Sequence, residues 1–288
     1  MYIEARDALR GGGVTAAELE ARLFVSAASG KTRAEYIRDA PLPAPEATAA
    51  AASDMTRRRL AGEPAAYITG EWEFYSMPVR VSRETLIPRT DTELLAERAI
   101  ARLLARDYGG RRVLDLCAGT GCVGLAVVKN APGAYAVLAD KFDGALALCR
   151  ENAERNLLSN RVSVASADAL AAPVDNNLSG GCNYAGSFDI IVCNPPYIPS
   201  GDLSALDVSV RDYEPRYALD GGADGLGFFR AVAEKWSSAL KRGGYLMFEC
   251  GAGQSGAVRD ILRENGFEDI SSARDTIGHE RVIEGKIK

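Results

Sequence analysis

From residue 111 onward, short apolar runs rich in β-branched residues alternate with longer segments whose apolar positions follow helical spacing. This alternation is typical of an α/β fold with a doubly wound, mostly parallel sheet and helices on both faces. Such sheets bind ligands beyond the carboxyl ends of their strands, so the residues that follow each predicted strand are the candidates for a site. Strands are predicted over 113–116, 136–140, 162–165, 188–192 and 244–249, and helices over 121–129, 144–157 and 228–240.

The first 70 residues are dominated by Ala, Leu, Glu and Arg and predict a small helical domain. The run Thr15-Ala16-Ala17-Glu18 has the pattern of a capping box that opens a helix. Three prolines then precede an alanine-rich segment over 46–60, which predicts a second helix.

A hairpin is predicted after the helical domain, with short strands over 73–75 and 78–81 around a Ser76-Met77 turn. The run Thr90-Asp91-Thr92-Glu93 then opens a helix. We therefore expect three parts, which are a helical domain over 1–70, a β-hairpin linker over 71–90 and the α/β domain over 91–288.

Charge and hydropathy argue against nucleic-acid and membrane partners. The 288 residues carry 34 Lys and Arg against 39 Asp and Glu, a net charge of −5. Since basic side chains supply most of the affinity for nucleic acid, no stable nucleic-acid binding is expected. The amino terminus lacks the apolar core of a secretion signal, and no apolar run approaches the roughly 18 residues that span a bilayer. We expect a soluble, cytoplasmic protein with no membrane partner.

Metal-dependent and histidine-dependent chemistry are both disfavoured. The one histidine, His279, falls in a predicted turn before a final strand, and no two cysteines form a C-x-x-C pair. We expect no metal, and we interpret the cysteines as small buried apolar residues of a reducing compartment. They are Cys117, Cys122, Cys149, Cys182, Cys193 and Cys250.

The first predicted strand of the α/β domain runs into a glycine loop, Asp115-Leu116-Cys117-Ala118-Gly119-Thr120-Gly121-Cys122-Val123-Gly124. Asp140 ends the next strand, 21 residues after Gly119, where an acid can accept hydrogen bonds from a ribose diol. The pattern favours a nucleotide-type cofactor over a purely structural tight turn. Asp115 would repel a pyrophosphate, whereas S-adenosylmethionine carries a sulfonium and an ammonium group and no phosphate. The loop resembles that of class I S-adenosylmethionine-dependent methyltransferases, in which the position of Asp168 lies near the adenine.

The run Asn194-Pro195-Pro196-Tyr197 follows the fourth predicted strand and predicts an acceptor site for an NH2 group. The Asn194 side-chain oxygen and the Pro195 carbonyl can accept the two hydrogens of an amide or exocyclic amine, which favours localisation of the nitrogen lone pair. The prolines hold these acceptors rigidly, and the Tyr197 ring offers a flat face to a planar group. Two families share this tetrad, the adenine or cytosine amino-methyltransferases of nucleic acid and the glutamine methyltransferases of protein.

The flanking sequence resembles the HemK-type release factor glutamine N5-methyltransferases. The resemblance covers about residues 60–288 and lies in the segments 62–75, 86–93, 213–215, 218–226, 248–251 and 281–283. It implies a class I S-adenosylmethionine-dependent methyltransferase fold with a small helical N-terminal domain. It also implies methylation of the glutamine in the Gly-Gly-Gln loop of a class I peptide-chain release factor, which the helical domain and the hairpin help to dock.

Carried onto this sequence, the resemblance implies two sets of contacts, and it implies that Arg89 pairs with an acid that the sequence does not identify. Asn194, Pro195, Pro196 and Tyr197 would hold the substrate amide, with Asn194, Pro195 and Tyr197 as the catalytic residues. Cofactor contacts would come from Asp115, Cys117, Ala118, Gly119, Thr120, Gly121, Asp140, Asp168, Ala169 and Asn194.

Some alternatives and departures stay open at this point. A glutamine methyltransferase of a ribosomal protein would share the chemistry, an N6-adenine or N4-cytosine methyltransferase would share the tetrad, and a silent binding module would share the fold. Cys117 and Ala118 stand where the family more often has Gly and Thr or Ser, and Ala169 stands where an aromatic residue commonly stacks on adenine. The polar stretch 176–183 predicts a surface loop.

Overall fold

The structure is a computed structural model that describes residues 1–39, 42–105, 111–173 and 184–288. Cys182 and the predicted loop over 176–183 lie outside the described residues. The chain divides into two compact units, of which the first comprises Met1–Glu71 with Asp207–Tyr213 and the second Trp72–Leu206 with Glu214–Lys288. None of the helices in the described ranges is long and apolar enough to cross a bilayer.

The first half of the chain, in order, contains helices followed by a hairpin, a helix and the first strands of a sheet. They are α1 (Tyr2–Gly11), α2 (Ala17–Ser29), α3 (Arg33–Asp39), α4 (Glu46–Leu60), α5 (Ala65–Thr69), β1 (Glu71–Phe74), β2 (Met77–Arg80), α6 (Thr90–Leu104), β3 (Arg111–Leu116), α7 (Cys122–Asn130) and β4 (Ala134–Asp140). The predicted helices over 46–60 and from residue 90 are confirmed by α4 and α6.

The second half continues the alternation of helices and strands. Its elements are α8 (Asp143–Arg155), β5 (Val162–Ser166), β6 (Phe188–Cys193), α9 (Val208–Arg211), α10 (Gly227–Trp236), β7 (Leu240–Glu249), α11 (Ser255–Glu264), β8 (Phe267–Arg274) and β9 (Glu280–Ile287). Short 3₁₀ turns lie over Leu203–Ala205, Arg216–Ala218 and Ser237–Ala239.

The first unit is helical and encloses a small apolar core around Leu9, Phe24 and Ile68. The predicted capping box is wrong, because α2 begins at Ala17 with Ala16 as a cap that makes no side-chain hydrogen bond. Thr15 therefore lies outside the helix. Glu18 pairs instead with Arg10 of α1 at 2.9 Å, an ion pair that the local pattern does not reveal.

The hairpin formed by β1 and β2 turns one residue earlier than predicted. Tyr75 and Ser76 occupy the turn, both in the left-handed region with φ of 50° and 55°, and Met77 begins β2. Paired positive φ values match the right-handed twist of a two-residue hairpin. Met77 is fully buried, and this burial fixes the register that places Tyr75 in the turn.

The second unit is built on a sheet with strand order β5-β4-β3-β6-β7-β9-β8. The strands from β5 to β7 pair in parallel, and β9 runs antiparallel to both β7 and β8. This confirms the doubly wound, mostly parallel sheet. Trp236, Phe229 and Phe248 lie in the apolar core that packs against it. Helix α11 and strand β8 were not predicted from the sequence.

Strand β8 lies at one edge of the sheet and is irregular. The pairing of β8 with β9 shifts between Glu268 and Ser271, and Asp269 within this bulge has a φ of 50°. Most of the strand is only partly buried, which explains why it lacks the apolar alternation by which a strand is recognised.

Asn152 of α8 is fully buried and connects three segments of the second unit. Its Oδ1 accepts a hydrogen bond from the Arg80 backbone N–H at 2.7 Å, and its Nδ2 donates to the Arg80 carbonyl at 3.1 Å. The same Nδ2 donates to the Thr120 carbonyl at 2.9 Å. Helix α8 is thereby joined to strand β2 and to the glycine loop between β3 and α7.

Replacing Asn152 by leucine is expected to lower the free energy of unfolding by at least about 2 kcal/mol, because the buried Thr120 carbonyl and the partly buried backbone groups of Arg80 lose their partner. Urea unfolding at fixed pH measures the change. The control is Asn130→Ala at the exposed end of α7, which should shift stability by less than about 0.5 kcal/mol. Equal stability of the two variants would contradict this role.

Candidate functional site

The second unit contains a cavity of about 360 Å³ at the carboxyl ends of β3, β4 and β6. This volume falls within the range of small-ligand sites. Its walls come from the segments that follow these strands, from the segment after β5 and from the residues between β2 and α6. The predicted site residues that line it are Asp115, Cys117, Ala118, Gly119, Thr120, Asp140, Asp168, Ala169, Asn194 and Pro196.

The glycine loop is shaped by two carboxylates. The Gly119 N–H donates to Asp140 Oδ2 and the Gly124 N–H donates to Asp115 Oδ2, both at 2.8 Å. Gly121 has a φ of 78°, and a Cβ there would lie 2.7 Å from the Leu138 side chain. The loop therefore requires glycine at this position both for backbone conformation and for packing. Gly121 itself does not line the cavity.

Cys117 adopts the left-handed conformation with a φ of 61°. This region of backbone conformation favours glycine, which explains why the family that the sequence resembles more often has glycine at this position. The Cys117 side chain hydrogen-bonds that of Cys193, whose pKa is raised well above its ordinary value by burial and then by this contact.

Asp115 and Asp140 are both buried beside the cavity. Burial raises the pKa of Asp115 to about 8, although the Gly124 N–H acts in the opposite direction. Burial also raises the pKa of Asp140 against hydrogen bonds from the backbone of Gly119, Phe142 and Lys141. A cationic ligand placed here would favour the ionised form of both acids, so the chemistry of the site suits a positively charged cofactor.

Asp168 differs from the two buried acids. Its burial acts to raise the pKa, but the Lys141 ammonium at 2.9 Å and the Leu170 N–H outweigh it, and the pKa is lowered. Ala169 is buried, and its carbonyl accepts a hydrogen bond from the Trp236 indole at 3.1 Å. Burial therefore raises the pKa of Asp115 and Asp140, whereas hydrogen bonds and the Lys141 ammonium lower that of Asp168.

Aromatic rings that the sequence analysis missed line the cavity. Phe142 and Tyr217 stack with ring centroids 3.8 Å apart, and Phe228 contributes a third ring. Ala169 offers no aromatic face, and these rings supply apolar planar surface in the same cavity. Phe142 stands two residues after Asp140, a signal that was available, whereas Tyr217 enters from a distant segment.

The tetrad is divided between the cavity and the packing behind it. Asn194 and Pro196 line the cavity, and Pro195 and Tyr197 do not. The Tyr197 carbonyl accepts from Gln254 Nε2 at 2.9 Å, and a Cβ on Gly221 would lie 2.7 Å from the Tyr197 Cα. Burial raises the pKa of Tyr197 to about 12, so the phenol stays protonated at neutral pH.

The Asn194 side chain contacts Thr92, a residue that was predicted to open a helix but was given no role at the site. Its Nδ2 donates to the Thr92 hydroxyl at 3.3 Å, and the Thr92 side chain hydrogen-bonds the Glu249 carboxylate. Glu249 lies in the segment 248–251 that carries part of the family resemblance, but no role was predicted for it. The structure also identifies the acid that pairs with Arg89 as Glu214, a buried residue that accepts from the Ile87 N–H as well.

In the part of the chain that the structure describes, no group of His, Cys, Asp and Glu could hold a metal ion. His279 is exposed, and its backbone N–H donates to Asp275 Oδ1 in a turn before β9. The predicted exposed turn at this residue is confirmed.

Two family models match the chain. The PrmC N-terminal domain matches residues 1–70, and the Methyltransferase small domain matches residues 91–208.

Curated relatives match over nearly the full chain. A release factor glutamine methyltransferase of Geobacter sulfurreducens is 39% identical over 275 residues, covering 96% of this chain and 91% of the relative. The enzyme of the same name from Salmonella typhimurium is 36% identical, with 93% and 91% covered. That of Caulobacter vibrioides is 33% identical, with 99% and 94% covered.

Solved structures resemble the chain in fold. The hMettl16 catalytic domain in complex with MAT2A 3'UTR hairpin 6 gives a TM-score of 0.56 at 14% identity and covers 82% of both chains. Human methyltransferase 10 domain containing protein gives 0.52 at 15% identity, covering 74% of this chain and 90% of that one. With the parallel sheet and the methyltransferase family model, the predicted class I methyltransferase fold is confirmed.

Binding of S-adenosylmethionine at pH 7 is expected to release up to about one proton, because Asp115 with a pKa of about 8 is mostly protonated in the unliganded protein and a bound cation favours its ionised form. Calorimetric titrations in buffers of different ionisation enthalpy measure the number of protons released.

The variant Asp115→Asn should release fewer protons than the wild type. The matched control is Asp168→Asn, which removes an acid whose lowered pKa keeps it ionised in the unliganded protein and should leave the proton count unchanged. Equal release from the wild type and Asp115→Asn would assign the proton to another group.

Proposed function

Because this chain belongs to the release factor glutamine methyltransferases, we propose that it methylates the side-chain amide nitrogen, N5, of a glutamine in a class I peptide-chain release factor. The methyl donor is S-adenosylmethionine, and the target is the glutamine of the Gly-Gly-Gln motif. The observation that carries the proposal is the position of Asn194, whose amide lines a cavity next to a glycine loop held by two buried acids. The reaction takes place in the cytoplasm.

The donor set of the cavity fits S-adenosylmethionine. When bound, this cofactor supplies a methyl group already activated by attachment to a positively charged sulfur. Asp115 and Asp140 offer carboxylates to a cation and to a ribose diol, and Asp168 and the backbone over 117–120 complete the polar contacts. Phe142, Tyr217 and Phe228 provide apolar planar surface for a base.

The tetrad accepts the two hydrogens of the glutamine amide. Since Asn194 Nδ2 donates to Thr92, its Oδ1 is the end left to accept from the substrate. The Pro195 carbonyl is the second acceptor, held by the fixed φ of proline. Both acceptors position the nitrogen for in-line displacement and favour localisation of its lone pair.

The proton balance requires no strong base. The nitrogen forms a bond to the methyl carbon while the carbon–sulfur bond breaks, and the methylated amide then loses one of its original hydrogens as a proton. Tyr197, which packs behind the cavity and has a pKa of about 12, keeps its own proton and does not serve as the base.

Residues 1–70 form a docking domain for the release factor, the segment 71–90 joins it as a hairpin linker, and 91–288 carry the reaction. The family match over residues 1–70 supports this division. Ile3 and Leu19, on α1 and α2, are 61% and 55% exposed and offer apolar surface to a protein partner. With a net charge of −5 for the chain, we expect no stable complex with nucleic acid.

Methyl transfer from labelled S-adenosylmethionine tests the reaction. The intact release factor should be labelled, and the same factor with its Gly-Gly-Gln glutamine changed to alanine should not. Asn194→Ala should lower the rate at least about 100-fold, because the acceptor that positions the nitrogen is lost. Asn130→Ala, a change at an exposed asparagine of the same unit, should leave the rate unchanged.

Two further substrates separate the alternatives in the same assay. Label on duplex DNA would assign the tetrad to a nucleic-acid amino group, and label on ribosomal proteins but not on the release factor would assign a different protein substrate. Label on both the intact and the altered factor would place the methylated residue outside the Gly-Gly-Gln motif.

Docking by the first unit predicts a separate kinetic effect. The double variant Ile3→Ser, Leu19→Ser should raise KM for the release factor several-fold and leave kcat unchanged, because these side chains contribute to binding and not to the reacting centre. Leu157→Ser, a change at an 88% exposed leucine of the second unit, is the matched control and should leave KM unchanged. A KM within the error of the wild type would remove these residues from the docking surface.

A further inference from the structure

Three polar side chains, those of Asn194, Thr92 and Glu249, form a series that leads from the cavity into the interior of the second unit. Asn194 follows β6 and Glu249 ends β7, and the pairing of Cys193 with Phe248 places the two residues side by side. Thr92 of α6 lies between their side chains, accepting from Asn194 Nδ2 at 3.3 Å and hydrogen-bonding the Glu249 carboxylate. Thr92 and Glu249 are 3% and 2% exposed, and Glu249 does not line the cavity.

The order of hydrogen-bond donors and acceptors among these three side chains determines which group donates to which. An asparagine amide has a donor end and an acceptor end, and a threonine hydroxyl can both donate and accept, so neither group alone sets the orientation of the other. An ionised carboxylate only accepts. Thr92 must therefore donate its proton to Glu249, which leaves the Thr92 oxygen free to accept from Asn194 Nδ2.

We propose that Glu249 acts through Thr92 as a positioning residue that directs the Oδ1 end of the Asn194 amide toward the methyl acceptor. This inference rests on the proposed function, in which Asn194 accepts a hydrogen from the substrate nitrogen. With the amide reversed, its NH2 group would meet the NH2 group of the substrate, and two donors repel each other. We call the contacts from Glu249 through Thr92 to Asn194 the Glu249 relay. It fixes the orientation in which Asn194 Oδ1 faces the substrate before the substrate binds.

The protonation state of Glu249 controls the relay. Burial raises the pKa of Glu249 to about 7, against a lowering by the Thr92 hydrogen bond. A protonated Glu249 can itself donate to Thr92, and the amide then loses its fixed orientation. Its Oε2 is buried and has no hydrogen-bond partner among the described residues. The other groups that face Glu249 are Arg281, Asp91 and Arg89, and Glu249 in turn raises the pKa of Tyr197, Cys122 and Cys250.

The first test uses the protein without cofactor or substrate. With asparagine labelled at the side-chain nitrogen, the NH2 signals of Asn194, assigned by their loss in Asn194→Ala, should shift with pH around a midpoint near 7 in the wild type. The shift should disappear in Glu249→Gln and in Thr92→Val and should persist in Thr92→Ser. A shift that persists in Thr92→Val would mean that Asn194 senses a charge through space, and that result would overturn the relay.

The second test follows kcat for the release factor between pH 6 and 8.5. Wild-type kcat should fall as the pH is lowered below about 7, which gives the pH profile an acid limb. Thr92→Ser should keep this acid limb, and its kcat should stay within a few-fold of the wild-type value. Thr92→Val should lower kcat at least tenfold at pH 8 and remove the acid limb. Glu249→Gln should flatten the limb with a smaller loss of kcat, because its amide oxygen can still accept from Thr92.

A matched control separates the relay from the loss of any buried glutamate. Glu284 on the neighbouring strand β9 is equally buried and lies outside the cavity, so Glu284→Gln should keep the acid limb of the wild type. If Thr92→Val fails to fold, the profile of Glu249→Gln decides the question, and a persistent acid limb there would overturn the proposal. If the wild type labels no release factor, the proposed function fails, and the signals of Asn194 still decide the relay.

Discussion

The glycine loop between β3 and α7 is a segment in which buried side chains supply several of the backbone hydrogen bonds. Asp140 accepts from the Gly119 N–H, Asp115 from the Gly124 N–H, and Asn152 donates to the Thr120 carbonyl. Unpaired backbone groups at these depths would destabilise the fold, so the loop holds its shape only while these three residues stay in place. Asn152 also holds β2, and the wall of the cavity and the hairpin therefore share one anchor.

The same burial that shapes the loop also sets its electrostatics. Raised pKa values of Asp115 and Glu249, about 8 and about 7, mean that the folded chain holds more protons at these two sites than the unfolded chain does. Their contribution to stability is fully present below the ordinary carboxyl pKa near 4 and is lost as the pH rises through these folded values. A cation bound beside Asp115 would offset part of the loss at that residue, which would link ligand binding to folding.

The sequence predicted those parts of the structure that depend on residues close to one another along the chain. Strands β3 to β7, helices α4 and α6 and the positions of the glycine loop and of Asn194 follow from local patterns, and the structure agrees with them. The contributions of distant residues could not be predicted. Glu214 lies 125 residues from Arg89, and Thr92 lies 102 residues from Asn194. Since each pair is brought together only by the packing of helices and loops on the sheet, no local pattern in the sequence identifies the partner.

The bulge in β8 determines where the sheet ends. A regular edge strand presents a row of unpaired donors and acceptors on which another chain can build. At Asp269 the backbone turns into the left-handed region and the pairing slips, so the spacing of these groups is broken. Glu268 and Asp269 add exposed carboxylates at the same point. The β8 strand of a second molecule would have to leave hydrogen bonds unmade and would bring its own carboxylates close to Glu268 and Asp269. Both effects disfavour growth of this sheet from one molecule to the next.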